Sequence, residues 1–234
     1  MYPLVSIMMP AYNASDYIAE AILSTQKQTY RDWQLCIVDD GSQDNTADIA
    51  QEFANSDGRI IIERQAHAGC PTARNMCLQM ATGDIIARLD ADDTHERIRL
   101  ERQVNYLLDY DEMDIVTCEM YWLFETKKIQ KPAGAMHVPS YMSGKGGGPV
   151  CASIVTWKRI YDTIGPFKTN QLAGSDGDWN FRAIIKNMRW GHLPFPWYNQ
   201  RRHSQQISKR LHQQQRTVHE AARMKYYAIW KRQR

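Results

Sequence analysis

What this sequence lacks narrows its function before any motif is read. None of its apolar runs approaches the ~20 residues that a membrane-spanning helix needs. The start, Met1-Tyr2-Pro3-Leu4, has neither the basic nor the apolar region of a secretory signal, so export is not expected. The cysteines are five, an odd number (Cys36, Cys70, Cys77, Cys118 and Cys151), and no two form a C-x-x-C pair. That argues against a disulfide framework or a structural zinc site, and for small buried side chains in a reducing cytosol. No G-x-G-x-x-G follows the first apolar run, and G-x-x-x-x-G-K-[ST] does not occur. Dinucleotide binding of the Rossmann kind is unsupported and a P-loop is excluded. A nucleotide must then be held by carboxylates and a metal, without a Gly-rich cradle. No internal repeat is evident.

What remains is globular: 43% of residues are hydrophobic and 24% charged over 234 residues. That length fits one domain with an appendage. The net charge of +3 hides an asymmetry, since residues 189–234 carry 11 Lys and Arg against one acid, and residues 1–188 carry 18 against 25. An acidic body with a basic tail suggests two kinds of partner: a solvated helix face is the plain reading, and anionic lipid, nucleic acid or a phosphorylated substrate the alternative.

Hydrophobic periodicity gives alternating strands and helices over the first 90 residues. Strands are expected at 4–9, 33–38, 59–63 and 84–89, and helices at 13–28, 45–53 and 71–80, with Asn13 or Ser15 capping the first. Such βαβ units build an α/β fold with a mostly parallel sheet. Next come a helix at 96–109, a strand at 114–124, a Gly- and Pro-rich loop at 131–149, a strand at 150–157, helices at 158–164 and 176–187, and a closing helix at 207–230.

Ligands in a parallel α/β sheet sit beyond the carboxyl ends of the strands. Three groups fall there: Pro10-Ala11-Tyr12-Asn13, Asp39-Asp40-Gly41-Ser42 and Asp90-Ala91-Asp92-Asp93. Any one could be a turn former or a helix cap. The third is the sharpest, because three carboxylates within four residues repel one another unless a cation lies among them. Mg²⁺ or Mn²⁺, shared with substrate phosphates, meets that need. A helix N-terminus before Glu96 accounts for Asp92 and Asp93 but not for Asp90, which directly follows its strand.

Val5-Ser6-Ile7-Met8-Met9-Pro10-Ala11-Tyr12-Asn13, Val38-Asp39-Asp40-Gly41-Ser42-x-Asp44-x-Thr46, Ala73-Arg74-Asn75 and Asp90-Ala91-Asp92-Asp93 stand in this order. Together they resemble the nucleotide-binding half of a family 2 glycosyltransferase of the GT-A fold. The likeness is close over residues 1–110 and looser to about residue 210. It implies one domain over 1–206, with a nucleotide-sugar half (1–110), an acceptor half (111–206) and a basic C-terminal helix (207–234). It also implies an inverting, metal-dependent transfer from a nucleotide diphosphate sugar, UDP-linked, to an acceptor hydroxyl.

By that resemblance Tyr12 lines the base pocket, Asp40 bonds the uracil ring with help from Asp39, and Arg74 contacts the base or phosphate region. Asp90 approaches the ribose, and Asp92 or Asp93 holds Mn²⁺ or Mg²⁺. The family's late Glu-Asp pair falls on Ser175-Asp176-Gly177-Asp178: Asp178 takes the Asp position as general base, Gly177 replaces the usual Glu, and Asp176 is the fallback. Arg202-His203-Ser204 resembles the late Arg-His segment, continuing to Ser208, which makes His203 a ligand for metal or diphosphate. The loop at 144–149 resembles the segment near the donor sugar. The plain alternatives are a helix-surface ion pair for Arg74, a cap for Ser175 or Asp176, a packed surface imidazole for His203 and a simple connector for the loop.

The acceptor is expected to be a glycan or a lipid-linked sugar, in a bacterial surface-glycan pathway and in the cytoplasm. The last helix places Leu211, Val218, Ala222, Tyr226 and Ile229 along one stripe among basic residues. It suits packing on its own domain or a dimer partner, or contact with an anionic membrane. Three rivals remain. A nucleotidyltransferase would carry an early basic, Gly-rich loop, and Pro10 to Ser15 holds no Gly, Lys or Arg. A binding module that has lost its base would bind nucleotide without turnover. A nucleic-acid binder, resting only on the basic tail, is not the expected reading.

Overall fold

The computed structural model describes residues 2–124, 128–131, 142, 151–171, 174–203 and 212–233. Its first half follows the expected alternation: β1 (Val5–Ala11), α1 (Ile18–Gln26), β2 (Trp33–Asp39), α2 (Thr46–Ser56), β3 (Ile60–Arg64), α3 (Cys70–Met80) and β4 (Ile85–Arg88). Then come β5 (Thr94–His95), α4 (Arg99–Asp109), β6 (Ile115–Leu123), β7 (Lys128–Lys131), a 3₁₀ turn (Cys151–Ser153), β8 (Val155–Trp157), α5 (Arg159–Ile164), α6 (Ser175–Ile185), β9 (Trp190–Arg201) and α7 (His212–Arg232). One sheet runs β3-β2-β1-β4-β8-β6-β9-β5, with β7 paired to β6. β1, β2, β3 and β4 pair in parallel, and β8 joins antiparallel to both β4 and β6.

Both faces of this sheet are covered, so the inner strands are buried and mostly apolar along their length. Alternate residues divide between two cores. Val5, Ile7 and Met9 of β1, with Leu35 and Ile37 of β2, pack beneath α1, α2 and α4 through Ile18, Ile22, Ala50, Leu100 and Val104. Met8, Cys36 and Val38 face the other way, onto Ala73 and Cys77 of α3, Ile160 of α5 and Trp179 of α6. Each fully buried Ile or Leu is worth about 1.5–3 kcal/mol, so the sheet position of every strand is tightly specified. Pro10 lies past Arg88, the last partner of β1 on β4, so its missing N–H breaks no ladder bond on that side.

Several expectations need correcting. α1 has no side-chain cap, and its N-cap is Tyr17. Asn13 instead adopts a left-handed φ of 48° and accepts the Gln43 N–H at 2.9 Å. α4 begins at Arg99, so Asp92 and Asp93 do not lie in its first turn. The expected strand at 150–157 divides into the 3₁₀ turn and β8. β9 was not foreseen: Pro194 and Pro196 break the strand pattern, and they fall where its pairing with β6 shifts register around Glu119. The loop at 144–149, Ser204, Ser208 and Leu211 lie outside the described residues.

α7 packs on α6. Ala222 and Tyr226 of its apolar stripe are buried with Phe181 and Ile184. The packing reading of the last helix therefore holds, and the apolar face is spent on the domain itself. Among the described residues no helix is long and apolar enough to cross a membrane.

Candidate active site

The carboxyl ends of β1, β2 and β4 form one rim, and local hydrogen bonds lock their loops together. Asn13 N–H donates to Ser42 Oγ (2.9 Å), Ala14 N–H to Thr46 Oγ1 (2.7 Å) and Ser15 N–H to Asp44 Oδ2 (3.1 Å). Pro10, Ala11 and Ala91 bring no polar side chain to this rim, and the Ala11 carbonyl is taken by Asp40 N–H at 2.8 Å. Asp39 is fully buried; its Oδ2 accepts the Ser42 N–H (3.2 Å) and faces Arg64 Nε (3.1 Å), while its Oδ1 has no partner.

Asp40 is more heavily engaged. Its Oδ1 accepts from Gln65 Nε2 (2.6 Å) and Ala68 N (2.9 Å), and its Oδ2 from Gly69 N (2.9 Å); His67 Nδ1 bonds the Asp40 carbonyl at 3.0 Å and lies 2.9 Å from Oδ2. The His67 ring stacks on Tyr12, with centroids 4.2 Å apart and planes 26° from parallel. Gly41 has a φ of +73°, and a Cβ there would meet the His67 backbone nitrogen at 2.8 Å. Only glycine suits a left-handed turn pressed so closely by another segment.

The three acids after β4 part company. Asp93 is buried; its Oδ2 accepts from Tyr198 Oη (2.7 Å) and its Oδ1 from Arg201 N (2.8 Å). Burial pushes its carboxyl well above the usual range, and the Asp92 and Asp90 charges add to that. Asp92 is 27% exposed and meets His203 Nε2 at 3.0 Å. The His203 ring tilts against Tyr17 at 4.7 Å, and its Nδ1 is buried without a partner. Asp90 is 30% exposed and paired to Arg74 at 2.9 Å.

Arg74 is not a surface pair. Its side chain is 8% exposed and bridges two carboxylates, Asp90 through Nη2 at 2.9 Å and Asp176 through Nη1 at 2.7 Å. Asp176 also meets Arg88 Nη1 at 3.3 Å. Arg88 is buried among Trp179, Phe167 and Tyr161, with its guanidinium 4.6 Å from the Trp179 ring centroid. Burial raises the Asp176 carboxyl; Arg74 and Arg88 outweigh it and hold it below the usual carboxylate range.

Asp178 has the opposite setting. It is 2% exposed and accepts from Lys168 Nζ (2.6 Å), Arg182 Nε (2.8 Å) and Tyr226 Oη (2.9 Å). The geometry separates the two: Asp176 faces Arg74 and Asp90, and Asp178 is enclosed where α6 meets α7. Gly177 answers to the same contact, since a Cβ on it would run into the His219 ring of α7.

Sequence reasoning missed His67, Arg88 and Tyr198. The first lies in the β3–α3 connector with no motif around it. The second sits inside an apolar strand, where an arginine was itself the signal. The third belongs to the strand that went unrecognised.

Asp90 and Asp176 thus meet on Arg74 with their carboxylates partly open, and the two buried guanidinium groups are committed to them. Among the described residues the Asp92 carboxylate, also partly open, pairs with the His203 imidazole. An oxygen ligand beside an imidazole, short of positive charge, fits a hard divalent cation. Among the described residues no three His, Cys, Asp or Glu side chains gather into a complete metal site, so a ligand's own oxygens would have to fill the shell.

The sequence profile described as Glycosyl transferase family 2 matches residues 6–188. WfgD of Escherichia coli, named as a UDP-Glc:alpha-D-GlcNAc-diphosphoundecaprenol beta-1,3-glucosyltransferase, is 43% identical over 105 residues, 45% of this chain and 41% of its own. The chain spans less than half the length of the first curated relatives it matches, 43%, 43% and 35%. Among solved structures, TarS of S. aureus in complex with UDP-GlcNAc superposes with a TM-score of 0.73 at 17% identity, covering 87% of this chain and 60% of that one. The mannosyltransferase PcManGT from Pyrobaculum calidifontis, in complex with GDP-Man and Mn²⁺, gives 0.70 at 18% identity, covering 95% and 63%. These likenesses show the GT-A fold. A match running from β1 through the helix that carries Asp176 places the chain in glycosyl transferase family 2.

Proposed function

We propose that this chain transfers a sugar from a nucleoside diphosphate donor to an acceptor hydroxyl with inversion, and that Asp176 is the general base. One observation carries the reading: Arg74 joins Asp90, at the end of β4, to Asp176, at the start of α6, so groups from both halves of the chain converge on one rim. The acceptor hydroxyl gives its proton to the Asp176 carboxylate. Its oxygen bonds to the anomeric carbon as the bond to the diphosphate breaks, and the nucleoside diphosphate leaves with the electron pair. Arg74 and Arg88 keep Asp176 ionised and aimed, so it is ready to take a proton at neutral pH. Asp92 and His203 are the residues that would hold Mn²⁺ or Mg²⁺. A divalent ion there neutralises charge on the departing diphosphate.

Tyr12 and Asp40 are assigned to the base, and a carboxylate, which only accepts, calls for a base that offers it an N–H. Uracil does so through its ring N–H. WfgD is named for UDP-Glc and TarS is seen with UDP-GlcNAc, which supports a UDP-sugar. The diphosphoundecaprenol in the name of WfgD supports a lipid-linked sugar as acceptor. A cytoplasmic step of surface-glycan synthesis is part of the same proposal. Gly177 gives no support to a module that has lost its base, because its small size serves the packing of α7.

The test is calorimetric titration with UDP, first with Mn²⁺ and then with EDTA, repeated for Asp92→Ala. The expected result is metal-dependent binding that the substitution abolishes. Absence of UDP binding under every metal condition would remove the uridine assignment. A panel of UDP-sugars then identifies the donor.

A further inference from the structure

We infer that His67 is a self-ligand of the base site: in the free protein its imidazole takes the place of the donor's nucleobase, and the base enters by displacing it. The inference rests on the assignment of Tyr12 and Asp40 to the base.

The first ground is the pair of contacts. A nucleobase at this rim needs an aromatic face to stack on and an acceptor for its ring N–H. His67 already uses both. Its ring lies on Tyr12 at 4.2 Å and 26°, and its Nδ1 is 2.9 Å from Asp40 Oδ2 and 3.0 Å from the Asp40 carbonyl. Both of those partners only accept, so Nδ1 carries the proton. A flat heterocycle donating one ring N–H to Asp40 is the chemistry that uracil would present.

The second ground is occupancy. A carboxylate offers about four lone-pair sites. The Asp40 carboxylate already accepts from Gln65 Nε2, Ala68 N and Gly69 N, and the His67 ring, with Nδ1 2.9 Å from Oδ2, stands over what remains. A base cannot reach Asp40 until one of these groups leaves. The two amides are backbone groups at the start of α3, and the backbone of His67 is pressed against Gly41. Side chains are the movable donors, and of the two only His67 also blocks the Tyr12 face. Its side chain is 55% exposed, so it has room to swing into solvent.

This makes His67 a residue that sets donor affinity. Binding is weakened by the fraction of time the site is self-occupied. His67→Ala should therefore bind UDP more tightly, by about 3–10-fold if the ring fills the site most of the time. Pyrophosphate, which has no base to place on Tyr12, should gain nothing.

The experiment is calorimetry of UDP and of pyrophosphate on the wild-type chain and on His67→Ala with Mn²⁺ present, alongside the NMR signals of the His67 ring in the wild type. The expected result is a gain for UDP alone in the variant and a shift of the His67 signals as UDP removes them from the Tyr12 ring current. Weaker or unchanged UDP binding in the variant, an equal gain for pyrophosphate, or His67 signals that stay put at saturating UDP would each overturn the inference while leaving the base site standing. If neither protein binds UDP, the base-site assignment itself fails and the inference goes with it.

Discussion

Asp176 and Asp178 stand two positions apart on α6 and have opposite surroundings. Two residues along a helix are roughly 200° apart around its axis, so they cannot face the same way. One meets Arg74 and Arg88 at the rim, and the other is enclosed by Lys168, Arg182 and Tyr226. Asp176→Asn should lower kcat by about 10²–10⁴ with the chain still folded, the usual range for loss of a general base. Asp178→Asn should leave transfer per folded molecule near the wild-type level and lower stability by about 1.5–3 kcal/mol, because it weakens the charged hydrogen bonds from Lys168 and Arg182 to a buried position. Chemical denaturation and initial rates on both variants separate the two roles.

The Asp178 site also sets an acid response. Burial raises its carboxyl, but Lys168 and Arg182 outweigh that and leave it below the usual range. A depressed folded pKa contributes stability above the unfolded value, and that contribution is lost as pH falls through the folded one. Melts between about pH 7 and pH 3 should show the wild type losing stability more steeply than Asp178→Asn.

At the scale of elements, α6 and α7 decide how the second half closes. α7 covers Phe181 and Ile184 with Ala222 and Tyr226, and Gly177 lets His219 approach. Gly177→Ala puts a methyl group into the His219 ring. It should destabilise by about 1–3 kcal/mol, the common cost of overpacking, although alanine is the better helix former. Adding His219→Ala should recover most of that loss in a double-mutant cycle. Additive effects would show that the two residues do not meet. Tyr198 is a second such joint, tying β9 to the turn after β4 through Asp93.

At the scale of the molecule, the rim is assembled from distant stretches of chain. Arg74 and Asp176 are 102 positions apart, Tyr198 and Asp93 105, and His203 and Asp92 111. Ligands that bind only this assembled rim must stabilise the whole fold. UDP with Mn²⁺ at about 100 times its Kd should add about 2.7 kcal/mol, a rise in Tm of roughly 5–10 °C for a domain of this size. EDTA should cancel the rise, and Asp92→Ala should not show it.

The alternating first half, the strand ends that form the rim, and the acidic run are legible in the residues alone. Those follow from apolar periodicity and turn chemistry, which act over a few residues. The resemblance of its four motifs added the family. Tertiary structure alone decided which carboxylate of each cluster is open. Asp93 is taken by Tyr198 from a strand whose prolines hid it, and Asp178 is enclosed by a terminal helix that arrives 48 positions later. His67 looked like any connector residue until folding laid it on Tyr12. Whether a polar side chain is spent on the fold or left for a ligand depends on partners far away in sequence, and local pattern carries no record of them.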